Sequence, residues 1–363
     1  MLWRLKVKKH MWRKIGLIAL VIAIWGAIAT YVVYSAMLVH KHKQEQNVER
    51  LAIEIVDSTA SGQLITSQRV REMLLYKPIP TIGVNVNMVD HWAIKELICK
   101  EGFVDNVSVY TSYNGTLHIS ISQRTPLLRL RVGGYDSYIT ADGYVFNSPQ
   151  HGALHTPVVS GALRPLFKAG YEGSLKDLLS EFMAQTELEA KAIMAKAEPV
   201  LERKEHLQQR RKDVRDSTIE SKAERKRLYR NIDGHIRDCD NALAAIEAER
   251  EALYKRAEMT RLRFEDFEAL LAFVSQLSAD RFWRSEIVQI VATTTADDRI
   301  WLMLIPRSGN HRIEFGWVED CGQKLHKLRL VYDKIAATSG WESFSCVNLN
   351  YADKIVCTYN EKK

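Results

Sequence analysis

The residues whose types could do chemistry are few. They are five cysteines (Cys99, Cys239, Cys321, Cys346 and Cys357), the pair His40 and His42, and the run Ser308-Gly309-Asn310-His311. The cysteines are odd in number, widely spaced and without a CxxC, so nothing pairs them. Export would permit disulfides, but small buried hydrophobes are the better description of most of them. His40 and His42 could ligate a metal, although a polar linker normally leaves such histidines solvated. The 308–311 run reads as a polar hairpin tip and not as a nucleophile elbow. GxxxxGK[ST], GxSxG and HExxH are absent, and Gly133-Gly134 lies between strand patterns instead of ahead of a helix. Carboxylates in the strand patterns lack partners that would make an acid and base pair. Arg225-Lys226-Arg227 sits on the charged 185–264 stretch among equal numbers of acids, which fits a solvated helix face better than a nucleic-acid site. No catalytic, cofactor-binding or metal-binding residue is nominated.

The chain carries 51 Lys plus Arg against 44 Asp plus Glu, a formal charge of +7. Eight of those cations (Arg4, Lys6, Lys8, Lys9, Arg13, Lys14, Lys41 and Lys43) flank one apolar run, and the remainder of the chain is close to neutral. That placement is a membrane-orientation signal, not a nucleic-acid footprint. Residues 15–39 contain no charge, and about 25 residues make a helix of roughly 37 Å, enough to cross a bilayer core. Trp12, Tyr31 and Tyr34 suit its interfaces. A basic tail (1–14) should stay cytoplasmic and send the rest across. The run is too long for a cleaved signal peptide, and a buried core helix would not carry a basic block on one side. A linker (40–47) follows.

Residues 48–122 read β-α-α-β-β. Leu51, Ile53 and Ile55 alternate, and Gly62 breaks the strand. Thr66 or Ser67 can cap a helix carrying Val70, Met73 and Leu74. A loop through Pro78 and Pro80 leads to a second helix, where Asn87 and Asp90 stand at capping-box spacing. Val107 and Val109, an Asn114-Gly115 turn of type I′, then Leu117, Ile119 and Ile121 form a hairpin. This order looks like a POTRA domain, two helices on a three-stranded sheet with an edge open to another chain.

From 123 the chain becomes strand-rich, pauses, and resumes after 264. Residues 123–184 and 265–363 read as one split α+β unit on a mostly antiparallel sheet. RFWRSEIVQIVA, RIWLMLIP and HRIEFGW are expected strands, KLHKLRLVYDKIAAT a helix, and FSCVNLNY and KIVCTY closing strands. The intervening 185–264 is highly charged, with apolar residues at 4/3 spacing such as Ile193, Ala197, Val200 and Leu207. Asn231-Ile232-Asp233-Gly234 is its turn-like break. The expectation is an antiparallel coiled-coil hairpin of ~45 Å; the rival is one continuous helix mediating parallel dimerisation.

Several stretches align in order with a known pattern. Gln123-Arg124-Thr125-Pro126 is similar to the (E/Q)-R-x-P junction of the FtsQ/DivIB family of bacterial division proteins. YITADGYVF resembles that family's D-x-x-G strand pair, and TPVVSG its following step. The LIPRSGNHRIEFG hairpin and terminal VNLNYADKIV fit too. The likeness spans nearly the whole chain except 185–264. It implies a non-enzymatic adaptor of the divisome in the inner membrane at the septum. That adaptor would recruit partners through its POTRA domain and pair its last strand with an FtsB/DivIC-type coiled-coil protein bound to an FtsL-like one. It implies no cofactor, no nucleic acid and no small-molecule substrate. Carried over by position, partner contacts fall on Tyr351, Asp353, Lys354, Ile355, Val356 and Tyr359, with Lys354 in place of a usual small residue; ordinary sheet packing is the other role open to Tyr351 and Tyr359. Two other readings compete, a membrane-anchored POTRA component of a secretion or envelope-assembly system and, more distantly, a cell-wall enzyme.

Overall fold

Residues 23–39, 46–56, 64–77, 79–148, 154–217, 221–338, 344–351 and 354–359 are described by the structure, a computed structural model. The tail 1–14, residues 15–22 of the expected span, His40, His42, Gly62, Pro78 and Asp353 lie outside them. Helix α1 (23–39) exposes Trp25, Tyr31 and Tyr34. Its described part rises about 25 Å, and the expected span begins eight residues earlier, at Ile15. Among the described residues no helix is long and apolar enough to cross a membrane.

The chain divides into two units, Met1–Arg124 and Thr125–Lys363. The first builds β1 (Arg50–Ile55), α2 (Ser67–Tyr76), α3 (His91–Cys99), β2 (Val104–Thr111) and β3 (Thr116–Gln123). The sheet order is β1-β3-β2, with β1 parallel and β2 antiparallel to β3. Leu117, Ile119 and Ile121 alternate onto one face of β3, and Val70, Leu74, Ile94 and Ile98 supply the buried helix stripes. Thr66 caps α2 by accepting from the Arg69 amide. The Gln123 carboxamide oxygen accepts from the Leu64 and Ile65 amides at 2.7 and 3.1 Å, tying the approach to α2 to the end of β3.

Two local expectations change here. Asp90 is itself the N-cap of α3, accepting from the Ala93 amide at 2.9 Å, while Asn87 sits in a separate 3-10 turn at Val86–Met88. The Asn114-Gly115 turn is not type I′. The Gly115 amide donates to Ser112 O, and the Ser112 amide to Thr116 O, with Gly115 alone left-handed at φ 74°. Asn114 accepts the Thr116 amide and so is held in place without needing positive φ, giving a three-residue loop with a bulge.

The second unit is a ten-stranded sheet. In chain order its strands are β4 (Pro126–Val132), β5 (Tyr135–Thr140), β6 (Tyr144–Asn147), β7 (Val158–Ala162), β8 (Gly173–Ser174), β9 (Ile287–Thr294), β10 (Ile300–Pro306), β11 (Arg312–Trp317), β12 (Phe344–Asn348) and β13 (Val356–Tyr359). Spatially they run β13-β12-β11-β10-β9-β7-β4-β5-β6-β8, mostly antiparallel, with parallel joins at β11–β12, β9–β7 and β7–β4. Arg281–Glu286, expected as strand, is a short helix α7 because Asp280 accepts from the Phe282 and Trp283 amides and caps it; strand begins only at Ile287.

Between β8 and α7 stand α4 (Leu175–Ala195), α5 (Glu198–Asp216) and α6 (Lys222–Ala279). Lys196 pairs with Glu249, Lys204 with Asp240 and Arg211 with Asp233, so the arms run antiparallel. The reversal lies between Asp216 and Ser221, not at 231–234, which is interior to the 58-residue α6. Ser221 caps that helix through the Glu224 amide and sets its start. From Lys222 to the first core residue, Phe264, α6 rises about 63 Å, a longer finger than expected. Leu207, Ile232 and Cys239 form the buried seam near its end, flanked by Val200, Val214 and Ile236. The last turns of α6 and helix α8 (Cys321–Thr338) cover the sheet: Phe267, Leu270, Phe273 and Val274 meet Leu325, Leu328, Leu304 and Phe315 in one core.

Candidate sheet-edge interface

β13 is the terminal strand of the ten-stranded order and, among the described residues, pairs only with β12. Val356 lies opposite Asn348, Cys357 opposite Val347, Thr358 opposite Cys346 and Tyr359 opposite Phe344. β12 spends one extra residue between Phe344 and Cys346, and this irregularity lets Phe344 and Val347 meet alternate residues of β13. Cys357 therefore faces the core, and Tyr359 on the same side lies over Phe344 with ring centroids 4.7 Å apart. The Ser345 hydroxyl donates to Thr358 O at 3.2 Å. The Thr358 carbonyl thus points at β12, and by strand alternation the amide and carbonyl of Cys357 point to the open rim.

Of the residues carried over from the resemblance, Tyr351, Val356 and Tyr359 are exposed, Ile355 packs on the core, and Asp353 lies outside the described residues. Lys354 places its ammonium 5.3 Å from the Tyr351 ring centre. Tyr351 and Lys354 thus come together before β13, while Tyr359 stands at its far end. Among the described residues the outer amides and carbonyls of β13 have no strand partner, and two exposed tyrosines flank them, which is what an added strand needs.

A second edge exists in the first unit. Beside β1 an apolar groove of about 420 Å³ is lined by Leu51, Leu74, Leu75, Ile79, Pro80 and Ile82. Leu75 and Tyr76 are exposed on its helix.

One buried polar cluster was not nominated from the sequence. His311 is 2 % exposed and its Nε2 lies 3.2 Å from the Tyr332 hydroxyl. The Ser308 hydroxyl donates to the Glu286 carboxylate, which also accepts the Ser308 amide at 3.2 Å. Burial pushes the His311 pKa down, and burial beside Glu286 pushes the Tyr332 hydroxyl up. These side chains pin the β10–β11 tip to α7 and α8. A histidine directly after a turn run was the only sequence signal for it.

All five cysteines are free thiols, Cys239 and Cys346 buried and Cys99 exposed. Burial raises the pKa of Cys321, Cys346 and Cys357, which keeps these thiols protonated. Among the described residues no group of three or more His, Cys, Asp or Glu is placed to hold a metal ion.

Residues 253–358 match a family model described as FtsQ/DivIB, C-terminal related, and residues 46–122 match one described as a POTRA-like domain. No curated protein matches the chain. The first match runs from inside α6 through Thr358, so it takes in β12 and most of β13.

Proposed function

We infer from the chain's membership of the FtsQ/DivIB family that it is a non-enzymatic scaffold of the bacterial cell-division machinery. It works from the inner membrane at the septum, anchored by residues 15–39, with its amino terminus cytoplasmic and its bulk outside. Its POTRA-like unit recruits division partners, and β13 accepts a strand from an FtsB/DivIC-type coiled-coil protein carrying an FtsL-like one. The single observation supporting this last step is that β13 ends the sheet with its outer backbone groups open. Strand addition supplies affinity through main-chain hydrogen bonds and specificity through flanking side chains, here Tyr351 and Tyr359.

Depletion of the protein followed by microscopy tests the class. Filamentous, undivided cells and a midcell band of a fluorescent fusion are expected; normal division with uniform peripheral fluorescence overturns the reading. That second outcome would favour an envelope-assembly or secretion role, to which the apolar groove beside β1 is suited as a seat for extended clients.

A further inference from the structure

The finger is uneven in charge along its length. Between Arg210 and Arg230, the stretch that forms its end, nine Lys or Arg stand against four Asp or Glu. In the lower part, residues 180–202 and 242–264, nine acids stand against seven bases. Ion pairs are somewhat sparser at the end: among the described residues three of the seven lower bases meet a carboxylate, against Arg211 and Arg215 of the nine at the end. Lower down, Lys196, Arg250 and Arg261 each meet a carboxylate. At the end, Arg210, Lys212, Lys222, Lys226, Arg227 and Arg230 are all exposed, and none of them makes an ion pair among the described residues. A groove of about 880 Å³ opens there between α5 and α6, lined by Arg211, Lys212, Arg215 and Arg237 beside Tyr229, with Asp233 the one acid among its described lining residues.

The same region offers no apolar hold. Among the described residues no large hydrophobic side chain is exposed between Leu201 and Tyr254, whereas Met183, Leu188, Met194 and Leu201 are exposed nearer the sheet. Protein partners are normally held by desolvated aromatic and aliphatic anchors, and the described residues of the finger end expose none. What it offers is six exposed cations without an ion pair among the described residues, carried at the end of a helical hairpin. A sheet of phosphate groups matches that array in sign, multiplicity and tolerance of exact position.

We propose that the end of the finger is a docking surface for an anionic phospholipid bilayer. Contact is electrostatic and superficial: the cations meet headgroup phosphates, and nothing inserts into the acyl layer. It is independent of the strand-pairing edge on β13, so either can fail without the other.

The test uses the full chain reconstituted into nanodiscs of phosphatidylcholine, mixed with free vesicles of phosphatidylcholine alone or with phosphatidylglycerol added, and read by flotation. Wild type should float with the phosphatidylglycerol vesicles only, and added salt should release it. The variant Lys212→Glu/Lys226→Glu/Arg227→Glu/Arg230→Glu keeps the basic amino-terminal tail, so its difference from wild type isolates the finger; its binding should fall roughly tenfold or more. Arg227→Gln/Arg230→Gln, a milder change at exposed positions, should fall in between, with helix content checked by circular dichroism. Equal flotation of wild type and both variants, or equal flotation with both vesicle types, overturns the proposal. Capture of duplex DNA or of an acidic protein without any capture of phosphatidylglycerol vesicles overturns it too, and assigns the cations to that polyanion.

Discussion

Tyr359 lies across the sheet rim from Phe344, its ring centre 4.7 Å away and tilted by 34°, with Tyr359 66 % exposed and Phe344 4 % exposed. A single truncation would confuse two roles, covering a core phenylalanine and, under the proposed strand pairing, offering a hydroxyl to a partner. Tyr359→Phe keeps the ring pair and should leave stability within about 0.5 kcal/mol. Tyr359→Ala removes the pair and should cost about 1 kcal/mol. If the edge is the partner site, both variants retain less of the FtsB/DivIC-type protein in pull-downs. Unchanged retention by Tyr359→Ala would reduce the residue to sheet packing.

Proline at a rim position separates strand addition from folding. The Thr358 carbonyl points inward to Ser345, so the neighbouring Cys357 amide points outward. Cys357→Pro removes a donor that the monomer does not use, and proline is tolerated on an edge strand when its missing N–H faces solvent. Thr358→Pro instead removes a donor directed at β12 and should destabilise the closing hairpin. The expected result is a Cys357→Pro protein with near-native thermal unfolding that no longer retains the strand-donating partner. Equal partner retention by wild type and Cys357→Pro would discard main-chain pairing at this rim.

The sequence was readable where a pattern repeats and unreadable where one contact decides. Alternation at Leu117, Ile119 and Ile121, and helical spacing at Leu325, Leu328 and Tyr332, report faces that are buried as a whole, and these elements stand where the periodicity puts them. α7 was missed because a six-residue helix has too few turns to show a period, and the Asp280 side chain alone decides it. The finger's reversal was misplaced because Asn-Ile-Asp-Gly is turn-like in isolation. The Arg211–Asp233 pair and the buried Ile232 instead hold those residues in helix. Of the residues read from the family likeness, the edge position of β13 could not come from composition, since strand order is set by long-range pairing.

That reversal gives a prediction of definite sign. Gly234 lies inside α6, and a Cβ built on it would meet no heavy atom within 4 Å. Glycine in a helix interior costs about 0.5–1 kcal/mol relative to alanine, mostly through backbone entropy. Gly234→Ala should therefore raise the stability of the finger by that amount and increase amide-exchange protection around it. Lowered protection would mean that the chain bends at 231–234 after all.

His311 makes folding stability depend on pH. It is 2 % exposed, its ring faces the Tyr332 hydroxyl of α8, and the Glu286 carboxylate of α7 is the charge acting on it. Burial lowers its pKa from 6.5 despite the opposing pull of Glu286. The folded protein then binds fewer protons than the unfolded chain once pH falls towards and below 6.5, so stability is lost as pH drops through that value and continues to fall until the depressed folded pKa is reached. One group contributes a slope of at most about 1.4 kcal/mol per pH unit. His311→Gln keeps a side chain able to reach Tyr332 but cannot titrate. Its thermal unfolding at pH 7.5 should resemble that of wild type after a fixed offset, and the difference between the two proteins should shrink or reverse on acidification. Parallel melting curves for wild type and His311→Gln across that range would show that the histidine titrates alike in both states and that the cluster carries no pH dependence.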